Sequence, residues 1–283
     1  MRIAIIGMGR MGRAFAGRAL DEGHAVSVWN RTPGRAEELR EQGATIMDSP
    51  DDVSDDCEAV FLFLADDKST LELAVPDGQP RKAWSLARVV NTGTVAPEVI
   101  TALSQAYGDS FVNAQIVGAP QAVRSGAAGF ILGGPASGRA ALAPVWRVFA
   151  GAFDAGDRPE TAAVIKLLNN QMLLTQLAAV AETVRAGRAA GIDDATLTGM
   201  LRESPMLAPG LRNRIDVMFD PEHAGWFTSI QSAKDLTLAL GLVPDGESLP
   251  VTEAARDAYR QLISDGWLTQ DPAALVEYGR RAH

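Results

Sequence analysis

The segment "RIAIIGMGRMGRAF" constrains the fold more strongly than any other stretch of this chain. Its apolar run predicts a buried strand over residues 2–7, and the residues from Arg10 onward have the apolar spacing of a helix. Between them, Gly7 permits a tight turn and Gly12 allows the helix to pack closely against the strand. The segment therefore predicts a strand, a tight turn and a helix in immediate succession.

The alternation of strands and helices continues to about residue 155. The strand segments are almost wholly apolar, which predicts burial on both faces and hence a parallel sheet covered by helices. The predicted strands lie at residues 2–7, 25–30, 45–49, 59–65, 88–94, 110–118 and 126–134, and the predicted helices at 10–23, 32–43, 68–75, 96–108 and 135–151.

From residue 159 the pattern becomes helical, beginning with one long apolar-rich helix over 159–192. We therefore predict an α/β fold, in which an N-terminal Rossmann-type doubly wound parallel sheet, residues 1–158, is followed by an all-α C-terminal domain, residues 159–283. The long interdomain helix joins the two. The further helices are predicted at residues 194–204, 232–243, 250–266 and 271–282.

Composition and charge argue against several classes of partner. The formal net charge is −9 and no basic run occurs, which is a poor fit to nucleic-acid binding. The longest apolar tract, 172–184, contains Glu182 and is too short to span a membrane. We find no signal-peptide pattern, and the single Cys57 has no partner for an internal disulfide, so we expect a cytoplasmic protein.

The residue types that bind metals are scattered along the chain. His24, His223 and His283 are far apart and do not have the spacing of metal ligands, so we predict no metal site. Cys57 has no identifiable histidine partner, and we interpret it as a buried, inert thiol.

The glycine-rich turn has the form of a dinucleotide-binding motif, because it follows a predicted strand and opens a predicted helix. Gly9 allows a pyrophosphate to approach the backbone, and the helix N-terminus directs N–H groups and a positive dipole end toward it. A strand–helix turn without a ligand is the alternative interpretation. The predicted cofactor-binding residues of this turn are Gly7, Met8, Gly9, Arg10, Met11 and Gly12.

The end of the second predicted strand indicates which dinucleotide is used. An NAD site commonly has Asp or Glu here to bind the ribose 2′-hydroxyl, whereas this chain has Asn30, Arg31 and Thr32. An arginine can pair with a 2′-phosphate, which a carboxylate would repel. We therefore predict NADP(H) as the cofactor, with a solvated loop charge as the alternative interpretation of Arg31.

Several motifs together resemble those of the β-hydroxyacid dehydrogenase superfamily. The stretch "GMGRMGRAFAGRALDEGHAVSVWNRT" is similar to its cofactor fingerprint, "ETAAVIKLLNN" to its catalytic helix and "SAKDLTLAL" to its C-terminal Lys-Asp-Leu motif. This superfamily includes 3-hydroxyisobutyrate dehydrogenase, the glyoxylate/succinic semialdehyde reductases and, further off, 6-phosphogluconate dehydrogenase and the imine reductases. The resemblance covers nearly the whole chain. It implies that the helical domain serves substrate binding and forms a homodimer through the long interdomain helix.

The resemblance also implies two catalytic residues on that helix. Lys166 matches the catalytic lysine and Asn170 the asparagine one helical turn later, and their spacing puts both on one helix face. An ammonium can stabilise the charge that develops on a carbonyl oxygen during hydride transfer and can deliver a proton to it, while an amide holds the substrate in line. We interpret the neighbouring Asn169 as a supporting or capping polar residue. A snorkelling surface lysine is the alternative interpretation of Lys166.

Further site residues are implied by weaker matches. Lys234 and its neighbour Asp235 match the C-terminal pair, whose lysine lies near substrate and cofactor; a surface ion pair is the alternative. Thr94 matches a strand-end residue near the nicotinamide. The loop over the cofactor ribose is matched by Leu64, Ala65 and Asp66, although the superfamily more often has proline at position 65.

The predicted substrate loop departs from the superfamily pattern, which reads Asp-Ala-Pro-Val-Ser-Gly-Gly. This chain has "NAQIVGA", so that Gln115 replaces the proline and Val117 replaces the serine that helps to bind a carboxylate; Gly118 and Ala119 complete the loop. A valine donates no hydrogen bond, and an unpaired buried carboxylate is strongly unfavourable. Imine reductases also carry an apolar residue here and a proline similar to Pro120, but they usually lack a lysine at position 166.

Taken together, these features predict an NADP(H)-dependent oxidoreductase. It would transfer hydride between the nicotinamide and a small carbonyl or alcohol substrate, with Lys166 as the general acid/base. Reduction of a C=N bond, as in the imine reductases, is the first alternative. The second is a non-catalytic NADP(H)-binding protein on the same fold, against which the retention of both Lys166 and Asn170 argues.

Overall fold

The apolar strand segments form the centre of an eight-stranded sheet in the computed structural model, which describes residues 1–282. The strands lie in the order β3-β2-β1-β4-β5-β6-β7-β8, and neighbours are parallel except for the antiparallel pair β6–β7. Because β1 lies between β2 and β4, the sheet has the switch point of a doubly wound fold there. The strands are β1 Arg2–Ile6, β2 Ala25–Trp29, β3 Thr45–Ile46, β4 Ala59–Leu62, β5 Arg88–Asn91, β6 Phe111–Val117, β7 Gly129–Gly133 and β8 Gly151–Asp154.

Helices cover both faces of this sheet. Side chains alternate along β1, so that Ile3 and Ile5 belong to one buried apolar cluster and Ala4 and Ile6 to another. Burial on both faces explains why the central strands are wholly apolar. The helices of this part of the chain are α1 Arg10–Asp21, α2 Glu37–Arg40, α3 Asp67–Ala74, α4 Pro97–Tyr107, α5 Pro120–Ser125, α6 Ala136–Ala141 and α7 Ala143–Trp146.

The long helix predicted from the sequence is α8, Pro159–Ala189. The chain divides within it into unit 1, Met1–Lys166, and unit 2, which begins at Leu167. Within its described residues, 167–282, unit 2 contains helices and no strand. The remaining helices are α9 Asp194–Glu203, α10 Ile215–Phe219, α11 Ser229–Leu240 and α12 Pro250–Ser264, and 3-10 turns lie at Pro209–Arg214 and Pro272–Glu277.

Unit 2 has its own buried core, to which α8 contributes Leu174 and Leu177 and α12 contributes Tyr259 and Leu262. Helix α11 begins with a capping box in which the side chains of Thr228 and Gln231 satisfy each other's backbone N–H groups. The mostly parallel sheet followed by a long helix and a helical part confirms the predicted fold class. No helix within residues 1–282 combines the length and the apolar character needed to cross a membrane.

The prediction of one helix over residues 135–151 is wrong. Two short helices, α6 and α7, are separated at Leu142, because Pro144 lacks an N–H group and its ring crowds the carbonyl four residues earlier. The chain then forms the edge strand β8, whose four residues are all exposed. An exposed edge strand shows no apolar alternation, so β8 could not be recognised from its residue pattern.

Three smaller expectations are also corrected. The sheet is not wholly parallel, since a strand buried on both faces has the same apolar pattern in either direction, and β7 runs antiparallel to β6. The predicted helix 32–43 is reduced to α2, because Gly34 has φ +84° and interrupts its first turn. The predicted helix 271–282 is only the 3-10 turn Pro272–Glu277.

Candidate active site

Four predicted site segments of unit 1 lie at one edge of the sheet. The glycine-rich turn follows β1, Leu64–Asp66 follows β4, Thr94 follows β5 and Val117–Ala119 ends β6. These four strands are parallel, so their carboxyl ends meet at the same edge. This is the edge at which open α/β sheets bind their ligands.

The glycine-rich turn is packed tightly on one side and open on the other. Gly7 has φ +105°, and a Cβ there would collide with the Phe63 carbonyl; a Cβ at Gly12 would collide with the Gly7 carbonyl. By contrast, a Cβ at Gly9 would meet nothing within 4 Å. Gly7 and Gly12 are therefore required by the fold, whereas the backbone at Gly9 faces open space of the kind a pyrophosphate needs.

The start of α1 suits an anion. Gly9 is its N-cap, no side chain caps the helix, and Arg10 is exposed while Met11 is half-buried. The N–H groups of the first turn and the positive end of the helix dipole therefore point toward the carboxyl edge. The chemistry of this turn fits the diphosphate of a dinucleotide.

Met8 contributes differently from its neighbours. Its side chain is fully buried in the core cluster, and its backbone N–H donates to Asn30 Oδ1 at 2.9 Å. Asn30 Nδ2 in turn donates to the Thr32 carbonyl at 2.9 Å. Asn30 therefore ties the glycine-rich turn to the loop after β2, a role that the sequence alone did not indicate.

The loop after β2 has an excess of positive charge. Arg31 and Thr32 are exposed, and so is a second cation, Arg35, that the sequence analysis did not single out. The two nearest acidic residues are engaged elsewhere, since Glu37 pairs with Arg40 at 3.0 Å and Glu38 with Arg13 at 3.1 Å. The sequence feature that could have identified Arg35 is its position four residues after Arg31.

The loop after β4 is half-buried at Leu64 and exposed at Ala65 and Asp66. Asp66 is the N-cap of α3 and accepts a hydrogen bond from the Ser69 N–H at 2.7 Å. The half-buried Thr94 follows Gly93, at which a Cβ would lie 2.6 Å from the Leu64 carbonyl. The two loops are therefore in close backbone contact at the carboxyl edge.

Lys166 joins this edge from α8. Its half-buried ammonium donates to the Ile116 carbonyl at 2.7 Å, one residue before the end of β6. The adjoining substrate loop consists of Val117, which is 38% exposed, Gly118 with φ +143°, and Ala119, the N-cap of α5. The structure thus brings the predicted proton donor to the same end of the sheet as the glycine-rich turn.

The remaining predicted residues form a second cluster, which lies in unit 2. Asn170 Nδ2 donates to Asp235 Oδ2 at 2.7 Å, and Lys234 pairs with Asp235 Oδ1 at 2.9 Å. Asn169 donates to Asn170 Oδ1 at 3.2 Å. Asp235 is only 1% exposed, so the Lys234–Asp235 pair is not a surface ion pair.

Three buried amides near the carboxyl edge were not predicted as site residues. Asn91 ends β5, and Asn113 and Gln115 lie in β6; none is more than 1% exposed. Their signal was present, because "VVNTG" and "FVNAQIV" place amides inside otherwise apolar strands. Only the structure shows that the three side chains contact one another.

The histidines and the cysteine considered as metal ligands or reactive groups have local partners or are buried. Burial lowers the pKa of His24, which lies 3.1 Å from the N-terminal amine, and His223 Nδ1 bonds to the Val217 carbonyl at 2.8 Å. Burial raises the pKa of the Cys57 thiol, which suits an inert side chain. No group of three metal-ligating side chains occurs within residues 1–282, and His283 lies outside the described residues.

Comparison with known families agrees with this geometry. Residues 2–156 match a model described as the NAD-binding domain of 6-phosphogluconate dehydrogenase. Residues 161–278 match a model described as NAD-binding of NADP-dependent 3-hydroxyisobutyrate dehydrogenase. The chain belongs to the 3-hydroxyisobutyrate dehydrogenase and glyoxylate reductase family.

Curated relatives of this family extend over much or nearly all of the chain. It is 31% identical to 3-hydroxyisobutyrate dehydrogenase of Pseudomonas aeruginosa, over 71% of this chain and 69% of the relative. It is 27% identical to glyoxylate/succinic semialdehyde reductase 2, chloroplastic, of Arabidopsis thaliana, over 97% of this chain and 78% of the relative.

Solved structures share the fold at lower identity. 3-Hydroxyisobutyrate dehydrogenase from Salmonella typhimurium has a TM-score of 0.86 at 18% identity, covering 98% of this chain and 99% of that one. Psf3, in a complex with NADP+ and 2-OPP, has a TM-score of 0.87 at 21% identity, covering 97% and 99%. An imine reductase from Streptomyces aurantiacus has a TM-score of 0.63 at 21% identity, covering 96% and 98%.

Membership of the 3-hydroxyisobutyrate dehydrogenase and glyoxylate reductase family confirms the predicted superfamily and enzyme class. The protein is an NAD(P)-dependent oxidoreductase of the β-hydroxyacid dehydrogenase type. The similarity to the solved imine reductase concerns the fold alone.

Proposed function

We propose that this enzyme uses NADP(H) to transfer hydride between the nicotinamide and a small carbonyl or alcohol substrate, with Lys166 as the general acid/base. One observation carries the proposal. The Lys166 ammonium is held at 2.7 Å by the Ile116 carbonyl, at the carboxyl end of β6. That end belongs to the sheet edge on which the glycine-rich turn opens at Gly9.

The chemistry follows from what an ammonium does beside a carbonyl group. When bound, the nicotinamide supplies the hydride for reduction, or accepts it in the reverse direction. As the carbonyl carbon gains hydride, negative charge develops on its oxygen, and Lys166 stabilises that charge and donates a proton to it. In alcohol oxidation, the neutral lysine amine takes the hydroxyl proton. The Ile116 carbonyl orients the ammonium by accepting one of its three N–H groups.

Asn170 would assist one helical turn beyond Lys166. One N–H of its amide is donated to Asp235, which fixes the orientation of the side chain. A second N–H remains on the same nitrogen, and we propose that it donates to a substrate oxygen. Because Asp235 is buried, Asn170 cannot move without leaving a buried carboxylate oxygen without that partner.

The choice of NADP(H) over NAD(H) is supported by the loop after β2. Arg31 and Arg35 are exposed cations, and the neighbouring glutamates form ion pairs with other arginines. No carboxylate occupies the strand end where an NAD site places one. A guanidinium at this position suits the 2′-phosphate of NADP(H).

A second candidate function, imine reduction, is favoured by Val117 alone. This apolar side chain is 38% exposed in the predicted substrate loop and offers no hydrogen bond to a substrate carboxylate. Neutral carbonyl compounds and cyclic imines therefore both fit the loop better than hydroxy acids do. Lys166 favours the carbonyl compounds. An imine nitrogen is basic enough to take its proton from water before hydride arrives, whereas a carbonyl oxygen is not and needs a positioned proton donor.

The proposed function is tested by NADPH consumption with a panel of aldehydes, keto acids and cyclic imines. Lys166→Ala should lower turnover of the best carbonyl substrate by a factor of about 10² or more while NADPH still binds, the usual scale for an acid–base group. Lys68→Ala is the matched control, because the Lys68 side chain is exposed on α3, where its ammonium lies 3.7 Å from Glu72. Unchanged turnover in Lys166→Ala would refute the assignment, and a protein that reduces only imines would support the second candidate.

The homodimer is also a proposal. Leu168 and Met172 lie four residues apart on α8 and are 45% and 59% exposed, which makes an apolar patch along that helix. An apolar patch on a helix gains free energy from burial, and a second copy of the chain would bury it by two-fold symmetry.

A further inference from the structure

Three buried amide side chains form a ring of hydrogen bonds at the carboxyl ends of β5 and β6. The Asn91 amide nitrogen donates to the Gly93 carbonyl at 2.9 Å and to Asn113 Oδ1 at 3.0 Å. The Gln115 amide nitrogen donates to the same two acceptors, at 3.0 and 2.7 Å. Two donors and two acceptors are thus joined by four hydrogen bonds, which we call the amide ring.

Backbone groups allow the amide ring only one orientation. Asn113 Nδ2 donates to the Pro159 carbonyl at 2.9 Å, so Asn113 Oδ1 must face the ring. The Gly93 N–H points to Asn91 Oδ1 at 3.3 Å, which leaves the Asn91 nitrogen for the ring. Turning any of the three amides would place oxygen against a carbonyl oxygen, because a carbonyl can only accept.

The amide ring is connected to Lys166 at two points. Asn113 holds Pro159, the first residue of α8, and the Lys166 ammonium on the same helix donates to Ile116, the residue after Gln115. Strand β6 is therefore hydrogen-bonded to α8 at two points, the first residue Pro159 and Lys166, seven residues later. Through the Gly93 carbonyl, the amide ring also connects β6 to the loop that carries Thr94.

We propose that Gln115, together with Asn113, is a positioning residue for the Lys166 ammonium. The proposal rests on the proposed function of Lys166 as proton donor. Without the Gln115 bonds, β6 keeps its pairing with β7, in which Ile116 lies opposite Phe130, but it loses its direct side-chain link to Gly93. The Ile116 carbonyl that receives the ammonium can then shift relative to the loop that carries Thr94. Small displacements of a catalytic group cause large losses of rate.

Gln115 is well suited to a test because its amide leaves one atom unused. Gln115 Oε1 is buried and has no hydrogen-bond partner among the described residues. Gln115→Met keeps the length of the side chain and removes both the ring bonds and this unpaired acceptor. The Gly93 carbonyl and Asn113 Oδ1 each keep their bond from Asn91, so no buried group loses its last partner.

The experiment is a double-mutant cycle with Gln115→Met and Lys166→Ala, using NADPH and the best carbonyl substrate of the panel. In the wild-type background, Gln115→Met should lower kcat about tenfold or more, with the dissociation constant of NADPH changed by less than about twofold. In the Lys166→Ala background, Gln115→Met should change kcat by less than about twofold, because it acts only through the lysine.

Thr101→Val is the matched control. Thr101 also bonds to the first turn of α8, through Glu160 at 3.2 Å, but it lies on α4, donates to the Pro97 carbonyl of its own helix and does not belong to the amide ring. It should leave kcat unchanged. Should Gln115→Met melt well below the wild type, Gln115→Leu takes its place in the same cycle.

Two results would overturn the proposal. The first is an unchanged kcat in folded Gln115→Met; the second is an equal loss of kcat in both backgrounds, which would mean that Gln115 acts independently of Lys166. Either result leaves the proposed function standing as long as Lys166→Ala itself is slow. Normal turnover in Lys166→Ala would remove the proposed function and the positioning role together.

Discussion

Gly9→Ala and Gly12→Ala should separate cofactor binding from folding, although the two glycines belong to one turn. A Cβ at Gly12 would collide with the Gly7 carbonyl, so Gly12→Ala must shift backbone. Overpacking of this kind destabilises by about 1–3 kcal/mol, which lowers Tm by about 2–4 °C per kcal/mol in a protein of this size.

Gly9→Ala, by contrast, should leave the stability of the fold almost unchanged and weaken cofactor binding. Its Cβ would meet nothing within 4 Å, and the backbone at Gly9 has φ −71°, which alanine adopts without strain. The loss of helix-capping preference and the lower entropy of the unfolded chain largely offset each other, so the free energy of unfolding should stay within about 1 kcal/mol of wild type.

The cofactor should nevertheless bind Gly9→Ala poorly. A phosphate oxygen accepts from a backbone N–H at about 2.9 Å, a distance that a methyl group at Gly9 prevents. The loss of one charge-assisted hydrogen bond weakens binding by about 1.5–3 kcal/mol, or at least about tenfold in the dissociation constant.

The assay is thermal melting with and without NADPH. At a concentration 100 times the wild-type dissociation constant, NADPH stabilises the wild type by about 2.7 kcal/mol. A tenfold weaker variant gains about 1.4 kcal/mol at that concentration, so its shift in Tm should be about half as large. A full NADPH-induced shift in Gly9→Ala would refute the reasoning, as would a wild-type Tm in ligand-free Gly12→Ala.

Three further predictions address specificity and assembly. Arg31→Asp should weaken NADPH binding about tenfold or more and leave NADH within about twofold, as measured by calorimetry; equal losses would contradict the 2′-phosphate assignment. Val117→Ser should raise kcat/KM for small hydroxy acids about fivefold by adding one hydrogen-bond donor; no gain would show that this loop does not select against carboxylates. Met172→Glu should convert a dimer to a monomer in size-exclusion chromatography with light scattering, whereas the control Leu86→Glu, at an exposed residue outside α8, should not; a monomeric wild type would contradict the dimer.

The unit formed by β1, the glycine-rich turn and α1 was predictable because its residues carry independent signals. Gly7 and Gly12 are needed where backbone approaches backbone, and the apolar run before them fits a strand buried on both faces. The long helix α8 was predictable for a similar reason, since its apolar spacing continues over 31 residues without an internal proline or a helix stop.

Other features could not be found in the sequence because their causes are nonlocal. The direction of β7 depends on its neighbour and not on its own apolar residues. The partner of Lys166 is a backbone carbonyl 50 residues away, to which no side-chain motif points. Asn30 stands at the strand end where a ribose-binding residue is expected. In the structure, its amide connects the glycine-rich turn to the loop after β2.

We propose that a pyridine dinucleotide with a 2′-phosphate lies across the glycine-rich turn beside Lys166. Calorimetric titration of the purified protein with NADPH and with NADH tests it most directly. We expect one site per chain, with NADPH binding at least about tenfold more tightly than NADH, the difference that one charge-assisted contact to Arg31 provides. Tighter binding of NADH, or no binding of either nucleotide, would contradict it.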